Sequence, residues 1–154
     1  MIFLLTALFV TGSVASAIQK HPETLFKYAA GTEGLPDACE GNLELTADAL
    51  AFKCRAGLIT VPYNSIRAMQ YRPDVSPEVR KMKLKWKVRP PLVPPFWEFM
   101  WGGKRNRYFT VLYSEADTTH AVVLEVQPEI MRPYLAEIDL RVGKRVEVKR
   151  LEEY

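Results

Sequence analysis

Residues 41–71 constrain the fold of this chain more than any other stretch, because they combine a two-residue hydrophobic period with closely spaced turns. Leu43 and Leu45 alternate with polar neighbours, and the same pattern resumes at Leu50 and Phe52 after a short break. Strict alternation is typical of half-buried strands. The turn residues delimit four predicted strands, which cover residues 42–45, 50–55, 58–61 and 66–71.

The rest of the chain continues this pattern and adds one helix. A second hairpin is predicted from 108–114 and 121–126, with its tip at 115–120. Apolar residues at helical spacing follow Pro128 and stop before Gly143, with Pro133 favouring a regular start near Arg132. Residues 144–149 predict a closing strand. We therefore expect an α+β, mainly β domain, built as a small barrel.

The first seventeen residues resemble a secretory signal. They carry no charged side chain and end in Ala15-Ser16-Ala17, a small-x-small cleavage pattern. The alternative is an uncleaved anchor, although the apolar run is short for a membrane span. The expected organisation is a signal peptide at 1–17, a lead-in segment at 18–38 that packs Leu25, Phe26 and Tyr28 on the domain, and a single domain at 39–154. The expected location is exported, periplasmic or secreted.

Positive charge is concentrated in the middle of the chain. The formal net charge is only +3, but eleven Lys and Arg residues face three acidic residues between Arg67 and Arg107. The alternation from Arg80 to Arg89 predicts a strand with one apolar and one basic face. Its basic face comprises Lys81, Lys83, Lys85, Lys87 and Arg89. Such a face suits an anionic partner, or it is a solubilising edge strand.

An aromatic segment lies within a predicted insertion at about 90–105. Prolines and glycines flank residues 96–101, which include Trp97, Phe99 and Trp101. These side chains form either a lid on the core or a contact for a membrane interface or another protein. A basic strand beside an aromatic loop is typical of peripheral membrane binding. Single-stranded nucleic acid would suit the same residues, but export argues against it, and no nucleic-acid partner is expected.

The two cysteines, Cys39 and Cys54, flank the first predicted hairpin. A turn at Ala47-Asp48 places them on one face, two residues out of register, where a bulge or twist would allow a disulfide. Two buried free thiols are the alternative. A metal site is not expected, because His21 and His120 lack ligand spacing, and both are expected on the solvated surface.

Catalytic motifs are missing from the sequence. It contains no phosphate loop, no HExxH and no nucleophile elbow. We therefore expect a protein that is not an enzyme, with no catalytic residues and no cofactor. An enzyme of unrecognised type is the weaker alternative.

The hairpin GNLELTADALAF, the following LITVPYNSI, YFTV near residue 108 and the helix before Gly-Lys-Arg-Val resemble bacterial PH-like and GRAM-like domains. The segments LKWKVRPP and RPYLAEIDL look like those of an uncharacterised exported family within that group. The resemblance implies a PH-like roll of about seven antiparallel strands capped by one C-terminal helix. It implies a binding scaffold without naming the ligand. Phosphoinositide binding is not carried over, because the first hairpin has only Lys53 and Arg55.

These observations predict a non-enzymatic exported module that binds an envelope lipid or protein. The alternative is a protein-interaction or self-association module that uses the aromatic loop.

Overall fold

The computed structural model describes residues 26–82 and 107–148, which form one eight-stranded sheet and one main helix. The strands are β1 (Phe26–Gly31), β2 (Glu40–Leu45), β3 (Ala49–Cys54), β4 (Gly57–Pro62), β5 (Ile66–Arg72), β6 (Arg107–Glu115), β7 (Thr118–Val126) and β8 (Glu147–Val148). The helices are a 3₁₀ turn at Tyr63–Ser65, the short α1 (Pro77–Lys81) and the main helix α2 (Pro128–Val142).

Two antiparallel meanders make up the sheet, in the order β4-β3-β2-β1-β7-β6-β5-β8. The antiparallel pair β1–β7 joins them. The mainly β prediction is confirmed, but two details differ. The closing strand β8 has only two residues and pairs parallel to β5. Within the described residues the sheet is open, with β4 and β8 at its edges. The prediction of a barrel was therefore wrong.

Strand β1 lies at the centre of the sheet, although the sequence analysis placed it in a lead-in segment. Phe26 and Tyr28 are buried in the main core. Ala30 follows a register shift in the pairing with β7 and is buried on the opposite face of the sheet, and half-buried residues alternate with all three. Ala29-Ala30-Gly31 gives no polar contrast, so the two-residue period is hard to see in the sequence. The expected packing of Phe26 and Tyr28 on the domain is confirmed, and Leu25 lies outside the described residues.

Helix α2 closes the core over one face of the sheet. Met131, Leu135 and Ile138 are fully buried in the cluster that both meanders share. The Tyr134 ring meets Phe26 of β1 edge-on, with centroids 5.2 Å apart. Burying an aliphatic side chain of this size stabilises the fold by about 1.5–3 kcal/mol. The helix therefore holds the two meanders together.

Both ends of α2 follow from local sequence. The helix begins at Pro128 rather than near Arg132, because Pro133 removes only one hydrogen bond, to the carbonyl of Glu129 in the first turn. Gly143 ends it in the left-handed conformation (φ 68°), where glycine avoids the steric cost of a Cβ. Beyond it, the Asp139 carboxylate accepts a 2.7 Å hydrogen bond from the Val146 backbone and directs the chain into β8.

The hairpin turns set the strand registers. In the β2–β3 hairpin, the Thr46 hydroxyl accepts a 3.0 Å hydrogen bond from the Ala49 backbone across the expected Ala47-Asp48 turn. In the β6–β7 hairpin, Ala116 and Asp117 both have positive φ, as a type I′ turn requires. The strands of this second hairpin therefore extend almost to its tip.

Along edge strand β4, successive residues direct their backbone N–H and C=O groups alternately toward β3 and away from it. Cys54 pairs with Gly57 across a two-residue turn, so Ile59 and Val61 also share hydrogen bonds with β3. The backbone groups of Leu58 and Thr60 consequently face away from β3. The side chain of Leu58 is 61% exposed, whereas Ile59 and Val61 are buried.

Candidate functional site

The structure describes one of the eight predicted binding residues. Lys81 is exposed at the end of α1. The others, Lys83, Lys85, Lys87, Arg89, Trp97, Phe99 and Trp101, lie outside the described residues. The strand predicted from Arg80 is wrong at its start, because Arg80 and Lys81 are helical.

The start of α1 explains why alternation misled at this position. The Ser76 hydroxyl accepts a hydrogen bond from the Val79 backbone at 3.4 Å, and Pro77 occupies the first turn. Val79 is completely buried. A capping serine followed by proline and Glu78 is a helix-start signal, and here it prevails over the alternation that follows.

Helix α1 covers the face of the sheet opposite α2. Val75 and Val79 pack there against apolar residues of the central strands, namely Ala30, Leu112, Ala121 and Val123. Met82, the last described residue before position 107, packs on this cluster, and so does Tyr108 just after it. Both ends of the chain around residues 83–106 are therefore anchored at the same apolar patch, which we call the outer cluster.

Charged residues surround the beginning of α1. Asp74 lies 3.8 Å from the Arg72 guanidinium and 3.9 Å from that of Arg80. These are long, partly exposed ion pairs, worth at most about 1 kcal/mol. Arg107 lies over the Tyr71 ring at 5.9 Å from its centroid. The region leading into 83–106 is thus rich in arginine, in line with the charge distribution of the sequence.

The Cys39–Cys54 disulfide is present, as predicted, and the chain has no other cysteine. Cys54 pairs with Gly41 in the β2–β3 ladder, so Cys39 lies two residues from register, as expected. The bond spans that diagonal just before β2 begins. It attaches the residues that connect β1 to β2 onto β3.

A polar cluster that the sequence analysis missed joins this connection to the β6–β7 hairpin. The Glu33 carboxylate accepts a hydrogen bond from the Tyr113 hydroxyl and lies 3.4 Å from Nδ1 of His120. The Thr32 hydroxyl lies 3.1 Å from the same Nδ1. The His120 and Tyr113 rings are adjacent, with centroids 5.3 Å apart. His120 is therefore only partly exposed, and its expected place on the solvated surface was wrong.

Burial raises the pKa of Tyr28 and of Tyr113, the two tyrosines near this cluster. Desolvation, with the Glu33 and Asp37 carboxylates adding to it, raises the pKa of Tyr28 to about 12. Desolvation also raises the pKa of Tyr113, and its hydrogen bond to Glu33 raises it further because that bond needs the phenol proton. Both phenols stay neutral near pH 7, and the Tyr113 hydroxyl donates a hydrogen bond to the Glu33 carboxylate.

The contacts of the cluster attach the β1–β2 connection to the β6–β7 hairpin. Tyr113 is 3% exposed, and its hydroxyl is already engaged with Glu33. Across residues 26–82 and 107–148, no three His, Cys, Asp or Glu side chains are grouped as metal ligands require. No helix in the same residues has the length and apolar character needed to cross a membrane.

Glu33 and Tyr113 could not have been paired from the sequence alone. They are separated by 80 residues and meet only because β1 adds to the edge of β7.

A search with protein-family models finds no match to this chain, and a search of curated proteins finds none either.

Proposed function

We propose that the chain is a non-enzymatic, exported binding module with a PH-like roll, and that residues 83–106 contact an anionic membrane surface of the envelope. The observation that carries the proposal is the anchoring of both flanks of this segment, through Met82 and Tyr108, at the outer cluster. A basic and aromatic segment is thereby attached to one face of a stable sheet.

Three features support the PH-like part of the proposal. Four consecutive strands form one meander and three form the other, and the pair β1–β7 joins them. The C-terminal helix α2 packs across the core shared by both. This arrangement agrees with the sheet and capping helix that the resemblance implies.

The disulfide supports the exported part of the proposal. Disulfides persist mainly in oxidising compartments, and Cys39–Cys54 joins two segments that are 15 residues apart. The signal-like residues 1–17 lie outside the described structure and support the same location by sequence.

Electrostatics and aromatic insertion have separable roles in this proposal. Lys81, Lys83, Lys85, Lys87 and Arg89 would attract an anionic surface, with about 1 kcal/mol from each basic residue near the headgroups. Trp97, Phe99 and Trp101 would insert at the interface, where aromatic rings are favoured. Binding should therefore weaken with salt and should also depend on the aromatic side chains.

The test is sedimentation of the purified protein with vesicles of phosphatidylglycerol and phosphatidylcholine, at low and high salt. We expect binding to anionic vesicles, weaker binding at high salt, and loss in Trp97→Ala/Trp101→Ala. Leu58→Ala is the matched apolar control, because Leu58 is exposed on β4 and is not among the residues of the outer cluster. Lys53→Gln/Arg55→Gln is the matched charge control at the exposed β3–β4 turn.

Absence of binding at low salt would refute the membrane proposal. So would unchanged binding by the double tryptophan variant. If the mass of the protein instead rises with concentration and the same variant abolishes the rise, the aromatic loop is a self-association surface.

A further inference from the structure

The connection between β1 and β2, residues 32–39, crosses one end of the sheet and is fastened at several points; we call it the strap. At its start, the Thr32 backbone donates a 2.9 Å hydrogen bond to the Ala121 carbonyl of β7. In the middle, Leu35 packs on the core beside Gly57 at the β3–β4 turn. At its end, the disulfide joins Cys39 to β3. The strap thus links the two meanders.

The fastening to the β6–β7 hairpin differs from the others because it contains a histidine, a side chain that is neutral or cationic according to whether it binds a second proton. His120 Nδ1 lies 3.1 Å from the Thr32 hydroxyl and 3.4 Å from the Glu33 carboxylate. A neutral imidazole that leaves Nδ1 without a proton can accept a hydrogen bond from the Thr32 hydroxyl, whose other acceptors within reach are the Glu33 carboxylate and the Ala121 carbonyl. A protonated Nδ1 can only donate, and the nearest charged acceptor is Glu33. Gain of one proton therefore changes a neutral contact into an ion pair.

The described groups in contact with His120 include one acid and one phenol. Glu33 of the strap faces the ring, and Tyr113 of β6 lies beside it as a neutral phenol. The charges that act on the neighbouring tyrosines are Asp37 on Tyr28 and Glu115 on Tyr113, and both are acidic. A proton gained by His120 would therefore place a positive charge beside a group of acidic residues.

We propose that His120 and Glu33 form a pH-sensitive latch that holds the strap more tightly on the β6–β7 hairpin when the surroundings become acidic. The latch acts at one end of the strap only, because the disulfide fixes the other end covalently. Acidification would reduce local opening of residues 32–38 and leave the rest of the sheet unchanged. This inference is independent of the proposed membrane binding.

Hydrogen exchange of the full chain tests the latch. Exchange of the strap amides is measured at about pH 5 and about pH 8, which bracket ordinary histidine titration, and is corrected for the intrinsic rates. A partly exposed ion pair predicts about two- to fivefold greater protection of the strap at the lower pH. Amides of β3 and β4 serve as the internal control and should not change.

Three variants separate the latch from general packing. His120→Gln keeps a hydrogen-bonding side chain but cannot gain a charge, so the pH response should disappear. Glu33→Gln removes the acceptor charge and should also abolish it. Tyr113→Phe removes the phenol contact but leaves the ion pair, so the response should persist. A pH response that survives in His120→Gln, or its absence in the wild type, would overturn the proposal.

Imidazole NMR gives a second readout that does not depend on exchange. The chain has two histidines, and the His120→Gln spectrum assigns the His120 signal. If the latch exists, Glu33→Gln lowers the midpoint of the His120 titration, because the imidazolium loses its partner. An unchanged midpoint would contradict the ion pair even if the strap is stable.

Discussion

Removal of the Cys39–Cys54 disulfide tests how the strap contributes to stability. The bond closes a loop between positions 15 residues apart. In the chain-entropy description, a loop of that length restricts the unfolded chain enough to stabilise the fold by about 3 kcal/mol. The β2–β3 ladder already places Cys54 opposite Gly41, so the native contacts of the ladder need not change when the bond is lost. We therefore expect Cys39→Ala/Cys54→Ala to fold with an intact sheet and reduced stability.

Urea unfolding followed by circular dichroism measures the effect. With a slope of about 1–3 kcal/mol per molar urea for a small domain, a loss of about 3 kcal/mol moves the midpoint down by about 1–3 M. Each single alanine variant should match the double variant, because either change removes the bond. Reduced wild-type protein should match them too. A double variant within about 0.5 kcal/mol of oxidised wild type would refute the argument that the loop constraint stabilises this fold.

Three further changes test other parts of the structure. Gly41→Ala should destabilise by about 1–3 kcal/mol in urea unfolding, because a Cβ there would lie 2.8 Å from that of Cys54 and closer still to a β3 carbonyl; equal stability would contradict the close approach of the strands. Leu135→Ala should cost about 2–5 kcal/mol in the same assay, while the control Leu140→Ala, at an 83% exposed position, should change stability by less than about 0.5 kcal/mol. Tyr28 has a folded-state pKa above its ordinary value of 10.0, at about 12, so its contribution is complete below pH 10 and is lost as the pH rises toward 12. When the free energy of unfolding is measured across this alkaline range, wild type should lose about 2–3 kcal/mol more stability than Tyr28→Phe. If the two proteins instead lose stability in parallel as the pH rises, the phenol is not desolvated.

The sequence predicted those elements whose signal is local. The β2–β3 register follows from a two-residue turn and the alternation of Leu43 and Leu45, and the end of α2 follows from Gly143. The disulfide could be anticipated because both cysteines flank that same hairpin. In each case the determining residues lie within a few positions of one another.

The features that escaped prediction depend on contacts between distant residues or on competing signals. In strand β1, Ala30 is buried by residues that are distant in the sequence, among them Val79 and Val123. At α1, the Ser76 cap and the burial of Val79 outweigh an alternation that continues beyond Met82. The meeting of Glu33 with His120 requires the β1–β7 pairing, which has no local sequence signature.

Among residues 26–82 and 107–148, β4 forms one edge of the sheet, and the part of it open to further pairing is shorter than its six residues suggest. Only alternate residues direct their N–H and C=O groups outward, and the third of these is Pro62, which has no N–H to donate. An added strand would meet complete donor and acceptor pairs only at Leu58 and Thr60. Two residues are too few for stable pairing of isolated strands. An open sheet can in this way resist growth into fibres or edge-to-edge dimers, even though its exposed leucine and absence of lysine on β4 offer no other protection.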